Sequence, residues 1–214
     1  MQLTNNQVQK LFAFTEKKFV RYYDLQVELV DHLAERIEEK INKDSAINFD
    51  TALQSVYKDF GIFGFSKIVA EKSEQLRKQN NKRLFAEIKN LFRWPEIISS
   101  LALALFIWTL VSNIDKVFID ILFIAYMLVI ACIIIWSRRK FKPNKKIMMT
   151  ENMPDYMGMI PFIYRFVFFE DFFSLNNFAF ALFIFSAIIF QLACFRISKK
   201  LKQEARQNYP AAFA

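Results

Sequence analysis

Glycine, cysteine and histidine are scarce in this 214-residue sequence, which contains three Gly, two Cys and one His. So few glycines disfavour a Gly-rich phosphate-binding loop and a sheet built on tight turns. The single histidine, His32, cannot act with Cys132 or Cys194, because both cysteines fall inside strongly apolar stretches. No Ser-His-Asp, Cys-His or paired-carboxylate set can be assembled. The sequence therefore predicts neither an enzyme nor a metal or cofactor site.

Apolar residues are abundant instead: they make up 54% of the chain, which contains 26 Phe. They form long runs only after Trp94-Pro95, at residues 97–114, 117–136 and 178–195. A helix rises about 1.5 Å per residue, so about 18 to 20 residues cross a hydrocarbon core of about 30 Å. We therefore expect a polar first part and a helical part embedded in a membrane.

The polar part begins with two amphipathic helices. Thr4 and Gln7 have the spacing of a capping box, which predicts a first helix from about residue 4 to residue 18 or a little beyond. The buried stripe of this helix consists of Val8, Leu11, Phe12, Thr15 and Phe19. A second helix is predicted by an apolar stripe through Leu29, Leu33 and Ile37, with acidic residues on its other faces.

Two further helices follow. Asn48 or Asp50 can cap a third helix, and Gly61 supplies the left-handed residue that ends it. The pattern of the fourth helix lapses at residues 77–83, which contain no apolar side chain. Residues 84–93 then form either a short helix in the lipid headgroup region or a simple continuation of the fourth helix.

Three segments of the polar part resemble the HAAS-type signalling domain, which is related to the permease-prefix domains of bacterial membrane proteins. They are VELVDHLAERIEE at 27–39, FDTAL at 49–53 and YKDFG at 57–61. The resemblance covers roughly residues 8–76. Two turns depart from the family pattern: residues 43–46 lack the usual Gly, and residues 62–64 replace the common Gly-x-Pro.

This resemblance implies a regulatory or sensory role, because such domains are often encoded beside PadR-like transcriptional regulators. It implies a partner of that kind or a permease subunit. The candidate docking or core surface consists of residues in the matching segments, namely Asp31, His32, Phe60 and Gly61.

Basic residues predict the orientation. Residues 138–146 carry six basic side chains and no acid, and further basic residues follow residue 195. Positive loops remain in the cytoplasm, and the N-terminal residues have no basic stretch followed by an apolar core, so no cleavable signal peptide is expected and the first part should lie in the cytoplasm too. The net charge of +8 is then explained by topology and by anionic lipid headgroups, without direct nucleic-acid binding.

If both basic segments are cytoplasmic, one more crossing must lie between them. The candidate is residues 157–173, with Arg165 at its centre. An arginine there costs about 2.5–3.5 kcal/mol on insertion, and nine Ile, Phe and Val residues offset a similar amount. The alternative is an interfacial or re-entrant segment, which leaves three spans. Arg165 is the candidate intramembrane polar site, with Asp120 as its partner.

The expected protein is all-α, with a small cytoplasmic helical domain followed by a transmembrane bundle of four spans, or alternatively three. It belongs in a bacterial inner membrane with its N-terminus in the cytoplasm. We interpret it as a regulatory or sensory adaptor, or alternatively as a transporter or an accessory subunit of an export permease. The segments are a HAAS-like domain at 1–76, a basic stalk and interfacial helix at 77–96, the transmembrane domain at 97–196 and a basic tail at 197–214.

Overall fold

The computed structural model describes residues 2–44, 46–114, 116–151 and 177–213. It is 81% helix, and the described ranges contain no strand, so the all-α prediction is confirmed. The α-helices are α1 (Asn5–Lys17), α2 (Tyr23–Lys43), α3 (Phe49–Lys58), α4 (Ser66–Leu91), α5 (Glu96–Asn113), α6 (Lys116–Lys140), α7 (Met148–Glu151) and α8 (Asn177–Asn208), followed by a 3₁₀ helix at Pro210–Ala212.

The chain divides into two compact units. The head unit consists of Met1–Lys78, Pro143–Asn152 and Ala205–Ala214, and the helical unit of Gln79–Lys142 and Met153–Glu204. This division differs from the predicted one. The predicted stalk and interfacial helix at 77–96 is not a separate unit, since it lies in the helical unit from Gln79 on, and so do residues 197–204 of the predicted tail. The segment after α6 and the end of the basic tail both belong to the head unit, because their backbone and apolar side chains pack against it.

The core of the head unit forms where the stripes of α1, α2 and α3 meet. Leu11, Leu33, Ile37 and Val56 are completely buried there. The predicted starts of two helices are confirmed. Thr4 and Gln7 cap each other reciprocally at α1, and the Asn48 side chain accepts a hydrogen bond from the Thr51 N–H at α3 (2.8 Å).

The assignment of Phe19 to the buried stripe of α1 is wrong. Phe19 has a φ of 67° and is 81% exposed. Its N–H bonds to the Glu16 carbonyl, and the Val20 N–H bonds to the Thr15 carbonyl, which is the Schellman arrangement. Phe19 therefore occupies the left-handed position where glycine is usual, and the apolar residue that turns inward is Val20.

The lapse at residues 77–83 is not a break, because α4 continues to Leu91. In the helical unit, charged pairs join the last part of α4 and the start of α5 to the last part of α8. Both long helices also bury apolar residues in these parts, Leu84 and Leu91 on α4 and Ile197 and Leu201 on α8. The pairs follow an antiparallel order: Arg83 with Glu204 (2.9 Å), Glu87 with Lys200, and Glu96 with Arg196 (2.6 Å). The structure favours the simple continuation over a separate interfacial helix.

The three apolar runs of the sequence all form helices, within α5, α6 and α8. Among the described residues, only α5 is long and apolar enough to cross a membrane by length and composition. Its mean hydropathy is 1.6, and only 17% of its residues are buried.

We predict that Phe19→Gly raises the free energy of unfolding of the head unit by about 0.5–1 kcal/mol. A left-handed conformation costs a non-glycine residue roughly 1–2 kcal/mol, and glycine loses about 0.5–1 kcal/mol more backbone entropy. The exposed ring contributes little burial to offset this difference. Urea titration of the full chain, read out by pulse proteolysis, measures the change.

Ala13→Gly is the matched control, since Ala13 is exposed in the interior of α1 and should lose about 0.5–1 kcal/mol. Equal or lower stability of the Phe19→Gly variant would contradict the strain assigned to this turn.

Candidate functional site

The candidate site is a junction within the head unit, formed by residues 22–25, 143–151 and 205–213. The Asp24 carboxylate lies in the first turn of α2 and is only 8% exposed. One of its oxygens accepts a hydrogen bond from the Met148 N–H (2.9 Å), and the other accepts one from the Met149 N–H (3.0 Å). The first of these oxygens also accepts from the Leu25 N–H (3.1 Å). The carboxylate thus satisfies the free N–H groups at the start of α7.

Backbone hydrogen bonds connect the three segments of the junction. The Tyr23 N–H donates to the Lys146 carbonyl (2.8 Å). The Asn144 and Lys145 N–H groups both donate to the Ala212 carbonyl, at 2.8 and 3.3 Å. The segment after α6 therefore bonds to α2 on one side and to the C-terminal segment on the other.

Apolar and aromatic contacts reinforce these bonds. Ile147 and Met148 are each 1% exposed, and Met148 packs into the core of the head unit. The rings of Tyr23 and Tyr209 meet edge to face with centroids 6.5 Å apart, and the Lys145 ammonium lies 4.5 Å from the centroid of Tyr23. Burial of this extent stabilises docking by about 1.5–3 kcal/mol for each large side chain.

The electrostatics of the junction hold two tyrosines in their protonated form. The pKa of Tyr22 is raised because its hydroxyl hydrogen-bonds to Glu151 and because the ring is partly buried. Burial, followed by the charges of Asp24 and Glu28, raises the pKa of Tyr209. A pKa raised by folding contributes stability below the ordinary value and loses it as the pH rises through the raised value. Deprotonation of Tyr22, above the ordinary pKa of a tyrosine, therefore removes this bond and the stability that it adds.

The junction binds segments of its own chain to one another, and its buried hydrogen-bond donors and acceptors are paired within it. Every buried side-chain nitrogen or oxygen within the described ranges has a hydrogen-bond partner. The described part of the chain contains no group of three or more His, Cys, Asp or Glu that could hold a metal ion. Glu28, which shares a face of α2 with His32, pairs with Lys72 at 2.6 Å.

The residues of the predicted docking or core surface lie in two places, on α2 and in the turn after α3. Asp31 and His32 are exposed on α2. Phe60 is half-buried, with its ring centroid 4.9 Å from that of Phe65, and Gly61 follows it with a φ of 73°. The Arg36 guanidinium, on α2, lies 5.8 Å from the Phe60 ring and connects the two elements.

The structure does not describe the predicted intramembrane pair of Arg165 and Asp120. Arg165 and the predicted crossing at 157–173 lie outside the described residues. Asp120 belongs to α6, but its side chain is outside the described part as well. Their pairing stays a prediction.

Sequence reasoning missed Asp24 and both segments that it helps to hold. Two signals were present. In the first, the apolar run Ile147-Met148-Met149 follows directly on the basic residues 138–146, which is unusual in a solvated loop. The second was the apolar end of the tail, where Tyr209 precedes residues 210–213. Both signals are short, so no helical periodicity drew attention to them.

No family model matches the chain, and neither does a curated protein or a solved structure. The resemblance of residues 8–76 to HAAS-type signalling domains stays a prediction from sequence motifs. The junction and the exposed surface of the helical unit are the features from which a function can be proposed.

Proposed function

We propose that this chain is a multi-pass membrane protein whose head unit lies in the cytoplasm and acts as a regulatory adaptor. The single observation that carries the proposal is the pair of hydrogen bonds that the Asp24 carboxylate accepts from the Met148 and Met149 N–H groups. Through it, the head unit binds a segment that continues directly from a long apolar helix. The support comes from the surface of the helical unit, from the number of membrane crossings and from the junction.

The surface of the helical unit fits lipid better than water. Water-soluble monomers rarely expose large contiguous apolar patches, because these associate or aggregate. In this unit, large apolar side chains are exposed along α5, α6 and α8. They are Ile98, Leu101, Leu105 and Phe106 on α5, Phe118, Ile121, Leu128, Val129, Ile133 and Ile135 on α6, and Phe178, Leu182, Leu192 and Phe195 on α8.

Tryptophan and basic side chains occur at the ends that the sequence assigns to the cytoplasmic side. Trp94 is 79% exposed and follows Arg93, just before α5. Trp136 is 63% exposed near the end of α6, with the Lys140 ammonium 5.0 Å from its ring centroid. Tryptophan beside cations is typical of the headgroup layer on the cytoplasmic side of a membrane.

The positions of two chain segments in one unit favour four membrane crossings over three. Residues 143–152, which follow α6, and residues 205–213, at the end of α8, both belong to the head unit. Two chain positions on one side of a membrane require an even number of crossings between them. If α8 crosses, a further crossing must lie between residues 152 and 177, outside the described residues. A three-span chain would put the C-terminal segment on the opposite side from α2.

We predict that cysteines at Lys142 and Gln207 resist a membrane-impermeant thiol reagent in intact cells. Cysteines at Asn113 and Ser174 should react, because four spans put these positions outside. Both sites chosen in the head-side segments have exposed side chains, so protection would report the membrane and not burial. The measurement is labelling before and after permeabilisation, in a background with Cys132 and Cys194 replaced by Ala.

Labelling of all four positions after permeabilisation is the control for reactivity. Labelling of Gln207→Cys without permeabilisation, with Lys142→Cys protected, would contradict four spans and favour three.

The junction gives the head unit a means to respond to the membrane. Covalent continuity makes any shift of α6 or α8 pull on residues 143–151 or 205–213. A pull strong enough to break the bonds of Asp24 would expose Met148 and change the surface of the head unit. Such a two-state element, biased by a local change of contacts, is the usual basis of a switch. By the resemblance of residues 8–76, the partner is a PadR-like regulator or a permease subunit.

A second function, as an accessory subunit of an export permease, has one observation in its favour. The Tyr126 hydroxyl donates a hydrogen bond to the Gln191 side-chain oxygen, joining α6 and α8 within apolar surroundings. Polar groups inside a membrane are costly and often mark a transport path. On this alternative, Arg165 and Asp120 would line the same path.

We predict that Asp24→Ala weakens docking of residues 147–151 by about 2–4 kcal/mol, because two hydrogen bonds to a charged acceptor are lost. Trypsin should then cut after Lys145 and Lys146 on the order of a hundredfold faster. In cells of the natural host, the variant at equal abundance in the membrane should reproduce the transcript profile of a deletion strain.

Glu39→Ala is the matched control, since Glu39 is an exposed carboxylate on the same helix outside the candidate docking surface, and it should behave as wild type. Faster cleavage of the Asp24 variant without a transcript change would contradict the adaptor function. A deletion that alters export while leaving transcripts unchanged would favour the permease alternative.

A further inference from the structure

The last part of α4 presents a stripe of lysine and phenylalanine side chains to its surroundings. The stripe consists of Lys82, Phe85, Lys89 and Phe92. Spacings of three and four residues put side chains one above another along one side of a helix. All four are exposed, and Phe85 is 69% exposed. Phe92 directly follows α4 and continues its last turn, because its N–H donates to the Lys89 carbonyl (3.2 Å). We term these four residues the α4 stripe.

The opposite face of this part of α4 is already occupied. Four residues on that face are buried, namely Asn80, Leu84, Glu87 and Leu91. Glu87 is the only acidic residue between positions 79 and 93, and it pairs with Lys200 on α8. One side of α4 therefore packs against α8, and the α4 stripe lies on the other side, where no acidic side chain offsets its charge.

The lower end of the α4 stripe reaches the apolar part of α8. The Phe92 ring meets that of Phe185 edge to face, with centroids 6.2 Å apart. Phe185 lies within the apolar run at 178–195. Phe85 precedes Phe92 by seven residues, which corresponds to about 10.5 Å along a helix. If Phe92 lies in hydrocarbon beside Phe185, Phe85 lies in the headgroup layer, which extends about 5–8 Å beyond the hydrocarbon core.

The charge of the α4 stripe indicates the chemistry of its partner. Lys82 and Lys89 lie on either side of Phe85, and Arg93 is exposed next to Phe92. A second copy of the stripe would bring like charges together, which opposes self-association. Anionic phospholipid matches both components, since its phosphates attract lysine ammonium groups and its acyl boundary accepts aromatic rings.

We propose that the α4 stripe binds anionic phospholipids at the membrane surface next to the start of α5. Lys82 and Lys89 contact the headgroups, and the Phe85 ring lies between them. The inference rests on the proposed anchoring of the helical unit in the membrane. Because α5 follows the stripe after only a short turn, the lipid surface stays at a high effective concentration, so a few side chains are enough for binding.

The test replaces Phe85 with the photoreactive residue p-benzoylphenylalanine in the full chain. The chain is reconstituted in vesicles of phosphatidylcholine with a smaller share of phosphatidylglycerol. Light bonds the benzophenone to its neighbour, and the mass of the adduct identifies that neighbour. We expect phosphatidylglycerol adducts to exceed the share of this lipid in the vesicle by at least about fivefold, since each lysine near an anionic surface favours association by that factor.

The charge of the α4 stripe is tested by removing it. Lys82→Gln combined with Lys89→Gln should return the adducts to the bulk lipid ratio, and added salt should act in the same direction. Lys43→Gln combined with Lys58→Gln is the matched control, since both lysines are exposed in the head unit, and it should leave the enrichment unchanged.

The same photoreactive residue at Leu105, exposed on α5, separates this proposal from the membrane anchoring. Lipid adducts at Leu105, with none at Phe85 or with adducts there in the bulk ratio, would overturn the anionic-lipid proposal alone. Adducts between two chains at Phe85 would assign the α4 stripe to a second copy and overturn it as well. Absence of lipid adducts at Leu105 would overturn the anchoring itself.

Discussion

A carboxylate that is 8% exposed must find hydrogen-bond donors, and Asp24 finds them in the next residue, Leu25, and in α7, which lies 124 residues further along the chain. An unpaired buried charge would cost several kcal/mol, so Asp24 can be buried at the start of α2 only while Met148 and Met149 present their N–H groups. In return, the carboxylate caps α7, which is too short to be stable alone. These hydrogen bonds keep Ile147 and Met148 buried. They also position Asn144 and Lys145, whose N–H groups bind the C-terminal segment at Ala212.

The two units meet different physical demands. The head unit places its apolar side chains in a core and caps its helices with Thr4, Asn48 and Asp24. The helical unit leaves apolar side chains on its surface and uses charged pairs where α4 approaches α8. The pairs of Glu204 and Glu96 are partly exposed, and such pairs stabilise little, at about 0–1 kcal/mol each. Glu87 is only 7% exposed, so removing Lys200 would leave a buried charge unpaired. The antiparallel order of the three pairs defines which residues face each other.

Local features of the fold could be predicted from the sequence, and long-range ones could not. The capping box at Thr4 and the cap at Asn48 act within three residues, so their spacing is visible in the chain. The stripe of α2 is equally readable, since Leu29, Leu33 and Ile37 repeat at the helical period. Phe19 was misassigned because helical spacing continued past the residue where the Schellman turn ends α1.

The remaining features depend on partners distant in sequence. The continuation of α4 past residue 77 involves Glu204 and Lys200, which carry no apolar signal for a helix-packing face. Asp24 and Met148 are 124 residues apart, so neither residue indicates the other by spacing. Of the predicted site residues, Phe60 and Gly61 lie in the turn after α3, with the Phe60 ring against that of Phe65, whereas the pairing of Arg165 with Asp120 stays a prediction from the cost of charge in lipid.

The head unit holds residues 143–151 and 205–213 as part of one cooperative structure. Hydrogen exchange of the full chain in lipid nanodiscs, at the amides of Tyr23, Asn144, Met148 and Met149, measures whether this is so. These amides should exchange as slowly as those in the middle of α2, with a common opening free energy. Exchange at Asn144, Met148 and Met149 that is orders of magnitude faster than at α2 would contradict it.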